Sequence, residues 1–338
     1  MTSAAIRPRV VCALVTVAVL SGATAASNQE AALVNHNEKS ARGLAKAYGF
    51  LLGQQMTLDE IERRYSNMKA EVLVARVTFE AAFPRVFEDL EAELGVIAGI
   101  DKLPVRQEQL QSQLDAVRQP VEAKQAAEFL EKVRGRARGE GIESEVLAYL
   151  LAIRYARRPV SEFTDGFRQR FQTDGTGKAL GVRLALQLPQ SWLAQEGERP
   201  HIVKKWTSES GTGLSVITLD LRDTGGVTPT VEEIADLVKS GEIREMFSSM
   251  GTVLDAAPFS IERQPGVFVR LSMIQERIAI QLSSEGAMFQ VFFRGKAVGI
   301  MCMTSRPELA RADTASAWRL LEPLCRQVAN SLVLSQVY

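Results

Sequence analysis

Histidine is nearly absent: the chain has 338 residues and two of them, His36 and His201, carry imidazole. Neither lies near a cysteine or a carboxylate pair in sequence, which argues against a zinc site. Cysteine is as scarce, with three in all, and Cys12 falls inside an N-terminal apolar run. An excess of charge of either sign is also missing. Lys+Arg and Asp+Glu are both 40, so composition gives no argument for a nucleic-acid or acidic-membrane partner. No Gly-x-Ser-x-Gly elbow occurs. Asp174-Gly-Thr-Gly-Lys178 looks like the end of a phosphate loop, but Gln172 stands where the first glycine belongs and a strand follows. Gly211-Thr-Gly213 lacks a third glycine and reads as a hairpin turn. No motif implies a cofactor.

What is present begins with an export pattern. Arg7 and Arg9 precede the apolar run Val10–Leu20, and Ser21-Gly-Ala-Thr-Ala25 supplies small residues for cleavage. Residues 1–25 are expected to be a secretory signal peptide and the mature protein periplasmic or extracellular. The run is short for a bilayer span, so no transmembrane segment is expected in the mature protein. Cleavage would leave Cys302 and Cys325.

Residues 26–172 read as a helical domain. Ala41, Leu44, Tyr48 and Leu51 recur at helical spacing to about Gln54, and Thr57-Leu-Asp-Glu60 matches a capping box that would start a short helix. Leu73, Val77, Phe83, Phe87, Leu90, Leu94 and Ile97 trace one stripe. Leu110, Leu114, Val117, Val121, Leu130 and Val133 trace another, and the turn 98–104 joins them. The pattern predicts a long antiparallel helical hairpin, bent at Pro84 and Pro120. Lys132–Gly141 reads as an exposed basic loop. Helices over 142–156 and 159–171 follow, and 173–178 has the composition of a linker.

From residue 179 onward the chain reads as a sheet with helices. Val182, Leu184, Leu186 and Leu188 alternate with more polar residues, and Pro189 ends that strand beside Trp192. Strands are expected over 202–207 and 214–221, apolar on both faces, which implies a sheet covered on both sides. Thr230-Val-Glu-Glu233 is a second capping box. Strands follow around Phe259–Ile261, a turn at Gln264-Pro-Gly266, then 267–273, 288–293 and 297–304, the last two joined through Arg294-Gly295-Lys296. A final helix over 308–334 carries Ala317, Leu321, Cys325, Val328 and Leu332 on one face, with Pro323 expected to kink it.

The strand Gly181–Leu188 with Pro189-x-x-Trp192, the hairpin about Gly295 and a last helix ending Ala329-Asn-Ser-Leu332 resemble the PsbP-like α/β/α family. That family includes an extrinsic photosystem II subunit, Ran-binding relatives and bacterial periplasmic members. The whole chain also looks like a set of uncharacterised secreted bacterial proteins. The residue patterns give an α+β protein with an all-helical N-terminal domain and a mainly antiparallel sheet after it, and the resemblance, which covers the sheet half, implies a PsbP-like α/β/α sandwich over 179–338. It implies binding or assembly and offers no catalytic residues.

The expected function is therefore non-catalytic, acting on a protein or envelope partner. Arg199, Lys204, Lys205 and Trp206 are the candidate partner-binding residues at a strand edge. One alternative is a hydrolase in an inter-domain cleft, which would need His201 beside a serine such as Ser191 or Ser208. Another is a carrier of a small apolar ligand between the long helices. Cys302 shares a strand face with Val298 and Ile300, and Cys325 a helical stripe with Leu321 and Val328. Helix-on-sheet packing would make the two sulfurs candidates for a disulfide, with two buried thiols as the other outcome.

Overall fold

The computed structural model describes residues 33–99, 108, 112, 121–277, 280–307 and 311–337. The candidate signal peptide, the turn from 100 onward, and Pro120 lie outside these residues. So do the stripe residues Leu110, Leu114 and Val117.

The helical half holds α1 (Glu38–Arg64), α2 (Lys69–Ala82), α3 (Val86–Ala98), α4 (Ala123–Arg136), α5 (Ser144–Tyr155) and the short α6 (Pro159–Thr164). Asn37 caps α1: its side chain accepts from the Ser40 N–H, and the Ser40 hydroxyl accepts from the Asn37 N–H. The helix runs straight through the expected break at Gln54. Thr57 is no N-cap; its hydroxyl donates back to the Gly53 carbonyl at 2.7 Å, the habit of a mid-helix threonine.

Pro84 ends a helix rather than bending one. Phe83 leaves the α2 conformation and Arg85 is left-handed (φ 58°) before α3 begins. Each piece can therefore rotate separately. On α2 the buried residues are Val72, Ala75 and Phe79, while Leu73 and Val77 are 61% and 55% exposed, so the single stripe is corrected by one residue there. Beyond the break it holds: Leu90 is fully buried, and Phe87, Leu94 and Ile97 pack against the same core. The Phe87 ring lies 5.0 Å from that of Tyr48 on α1.

The expected helix over 159–171 stops at Thr164. Its last residues form a strand, β1 (Arg168–Gln172), which pairs antiparallel with β2 (Leu184–Pro189). Residues 173–178 thus lie in the connection between two paired strands. β2 buries Leu184, Leu186 and Leu188 as the alternation requires. It does not found the main sheet, however; β1, β2 and β10 (Val333–Leu334) make a separate three-stranded one.

The main sheet has seven antiparallel strands in the order β3-β4-β5-β9-β8-β7-β6. They are β3 (Leu193–Glu196), β4 (Ile202–Thr207), β5 (Ser215–Asp223), β6 (Thr252–Ile261), β7 (Gln264–Arg277), β8 (Ile280–Phe293) and β9 (Lys296–Pro307). The β6–β7 turn is Glu262-Arg263 (φ 50° and 64°), two residues earlier than Gln264-Pro-Gly266 suggests, and β8–β9 turns through Arg294-Gly295 (φ 51° and 70°). Both have the positive φ pair of tight hairpins.

Helices cover both sheet faces. On one, α9 (Arg311–Asn330) packs over Ile217, Phe289, Ile300 and Cys302 and continues through Pro323 without ending. On the other, α7 (Val231–Ser240) and α8 (Glu242–Phe247) cover Val269, Leu271, Met288 and Met301. The Thr230 capping box opens α7 as expected, with reciprocal bonds to Glu233. The architecture is α+β, with helices first and then a layered antiparallel sheet.

Candidate functional site

The β3–β4 turn carries Arg199, and Lys204 and Lys205 follow on β4. Gly197 fits because a Cβ there would meet the Ile202 carbonyl oxygen at 2.0 Å. Lys178 reaches in from the β1–β2 connection, its ammonium donating to the carbonyls of Gly197 (2.6 Å) and Arg199 (3.2 Å). The turn delivers His201 to the sheet end, where its carbonyl accepts from the Leu221 N–H at 2.9 Å.

There His201 Nε2 lies 3.8 Å from Asp220 Oδ1. The Asp220 carboxylate accepts from the Thr218 hydroxyl at 2.8 Å. Burial raises the Asp220 pKa above the ordinary range, against the pull of Thr218 and the nearby cations. Burial also lowers that of His201, and Arg222 adds to the effect, with smaller contributions from Arg199 and Lys178; Asp220 alone opposes them. His201 is thus neutral near pH 7, in a positive local field. Arg199 and Arg222 are exposed and make no ion pair among the described residues.

The other candidates divide. Lys204 pairs with Glu196 at 2.5 Å, and Lys205 lies 3.8 Å from Glu198. Trp206 lies beneath the surface. It is fully buried and stands edge-on to Phe171 at 5.1 Å, so it supports the strand from within the core and is not at the surface. Beside Lys178 an open polar cleft of about 490 Å³ runs past Phe171, Asp174, Thr176, Glu196 and Lys204.

The serines weighed for a hydrolase have other partners. Ser191 donates its hydroxyl to Glu162 Oε2 at 2.7 Å, and its N–H to Oε1 at 2.6 Å. The Ser208 hydroxyl accepts from the Ser215 N–H at 3.3 Å. Neither is paired with His201.

A second polar cluster, which the sequence reading missed, joins the two halves. His36 Nε2 meets Glu93 Oε2 at 2.5 Å, and the other oxygen of Glu93 accepts from the Leu33 N–H at 2.7 Å. Asn35 bridges across: its N–H donates to Glu209 Oε2 and its amide to the Thr212 carbonyl, both at 2.7 Å. Glu209 and Ser210 hold left-handed backbone (φ 55° and 54°), a strain of order 1–3 kcal/mol each. The Ser210 N–H bond to the Ser191 carbonyl helps to hold it, as does the Lys39 ammonium on the Ser210 carbonyl. Local sequence could not have found this cluster, because its members come from four distant segments.

Cys302 and Cys325 are both free thiols and fully buried. They meet side chain to side chain. Burial drives the Cys325 pKa well above its ordinary value, and the neighbouring Cys302 pushes it further in the same direction. Among the described residues no group of His, Cys, Asp and Glu could hold a metal, and no helix is long and apolar enough to cross a membrane.

No family model matches the chain, and no curated protein matches it. Among solved structures, a crystal structure from Bacteroides thetaiotaomicron matches at 11% identity with a TM-score of 0.27, covering 50% of this chain and 48% of its own. The chain therefore spans about half the length of that protein. The Ran-binding protein Mog1p of Saccharomyces cerevisiae matches at 9% identity with a TM-score of 0.33, covering 49% of this chain and 95% of its own. At these scores neither likeness bears on function.

Proposed function

We propose that this is an exported, non-catalytic binding protein whose sheet half is a PsbP-like module. Its cationic end, Lys178, Arg199 and Arg222 around His201, takes an acidic segment of a protein or envelope partner. The observation that carries the reading is the imbalance there. Three cations act on His201 against one facing carboxylate, and two of them, Arg199 and Arg222, have no ion pair among the described residues. Unpaired exposed guanidiniums in a positive field recruit carboxylates and steer them over distance. The N-terminal basic-apolar-small pattern supports export. The binding reading is favoured over the hydrolase alternative because His201 faces Asp220, while Ser191 is bonded to Glu162 and Ser208 to the Ser215 N–H.

A photo-crosslinking residue placed at Arg199 in cells tests this, with Leu73 on the exposed face of α2 as the control position. Adducts specific to position 199, lost on Arg222→Glu, are expected. Equal adducts from both positions, or adducts indifferent to Arg222→Glu, would overturn the reading.

A further inference from the structure

The two buried cysteines take no part in the proposed binding face. Cys302 lies mid-sheet on β9, opposite Ile217 of β5 on one side and Ala287 of β8 on the other. Cys325 lies on the inward stripe of α9 with Leu321 and Val328. All of these side chains belong to one apolar core. Helix packing has therefore brought together two thiols that start on different elements and left both fully covered. At Cys325 such surroundings favour the neutral thiol, which is a poor nucleophile and a poor metal ligand. What two facing thiols can still do is oxidise each other.

We propose that Cys302 and Cys325 form a disulfide site that closes as the chain folds and fixes the last helix to a central strand. Both S–H bonds break and one S–S bond forms. The two electrons and two protons pass to an external disulfide, which leaves as two thiols. The exchange belongs to the folding chain, before the core closes, when the thiols are exposed and their ionisation is ordinary. Once covered, the bond is out of reach of reductants. Its closed loop confines the unfolded chain, so the oxidised form should melt about 5–10 °C above the reduced form. This inference stands apart from the binding reading and from export, since it concerns only what the fold brings together.

The test uses the full-length chain, unfolded with reductant and refolded in a mixture of oxidised and reduced glutathione. The product is unfolded again without reductant and alkylated, and its peptides are mapped by mass spectrometry. Monomeric protein in which the Cys302 and Cys325 peptides are joined is expected, with Cys12 left to carry the label or glutathione. The joined peptide should vanish in Cys302→Ser, leaving Cys325 open to alkylation. Refolded wild-type protein with native circular dichroism and both Cys302 and Cys325 alkylated would overturn the proposal. That wild-type result decides the matter even if the variant does not fold.

Discussion

The carboxylate of Glu162 on α6 accepts both hydrogens that Ser191 offers just after β2, the N–H at 2.6 Å and the hydroxyl at 2.7 Å. It ties the last helix of the helical half to the first buried strand of the sheet half. The carboxyl is almost wholly covered, and burial raises its pKa from 4.5 to about 7 although the Ser191 and Gln190 bonds oppose the shift.

A pH dependence of stability follows from Glu162. Its folded pKa lies above its unfolded value, so between pH 4.5 and about 7 the native state holds a proton that the unfolded chain has released. The stability tied to this group is full below pH 4.5 and lost as pH rises through 7, by about 3 kcal/mol. Glu162→Gln imitates the protonated form. From pH 5 to pH 8 the urea midpoint should fall more steeply in the wild type than in the variant; parallel slopes in both proteins would assign the pH dependence elsewhere.

The scarcity of histidine makes His201 easy to follow by NMR. Burial and then Arg222 hold its pKa down. Replacing Arg222 with Gln removes a positive charge, so the His201 titration should move to higher pH. An unmoved His201 curve would remove the local positive field from the account.

Gly43 on α1 packs against Tyr149 of α5. A Cβ there would sit 1.9 Å from the Tyr149 ring, and Tyr149 is fully buried. Gly43→Ala should therefore destabilise by about 1–3 kcal/mol, although alanine is the better helix former. Adding Tyr149→Leu should make the pair less than additive in chemical denaturation. A stabilised Gly43→Ala would mean that the two helices are further apart.

Much of the fold was legible because its signals are local. Thr230 and Glu233 cap α7 within one turn, and the alternation from Val182 to Leu188 marks a strand whatever lies around it. The Thr57 box failed since its hydroxyl had a nearer acceptor in the Gly53 carbonyl once α1 continued. β1 was hidden because Phe163, Phe167 and Phe171 also fit helical spacing; pairing with β2 decided it. At the site, Arg199, Lys204 and Lys205 could be picked out as a basic run, but Trp206 was placed with them in error, since Phe171, which packs on it, comes from β1 and is distant in sequence. Arg222 and Asp220 were missed because only the pairing of β4 with β5 sets them beside His201.

The central claim is that an acidic partner segment is held by Arg199 and Arg222. Its most direct measurement is the affinity of a synthetic peptide, carrying the segment crosslinked at position 199, for the wild type and for Arg199→Glu/Arg222→Glu as salt is raised. The account predicts that wild-type binding weakens steadily with salt, and that the double variant binds at least about tenfold more weakly at low salt with a flatter dependence. Equal affinity of the two proteins across the salt series would contradict it.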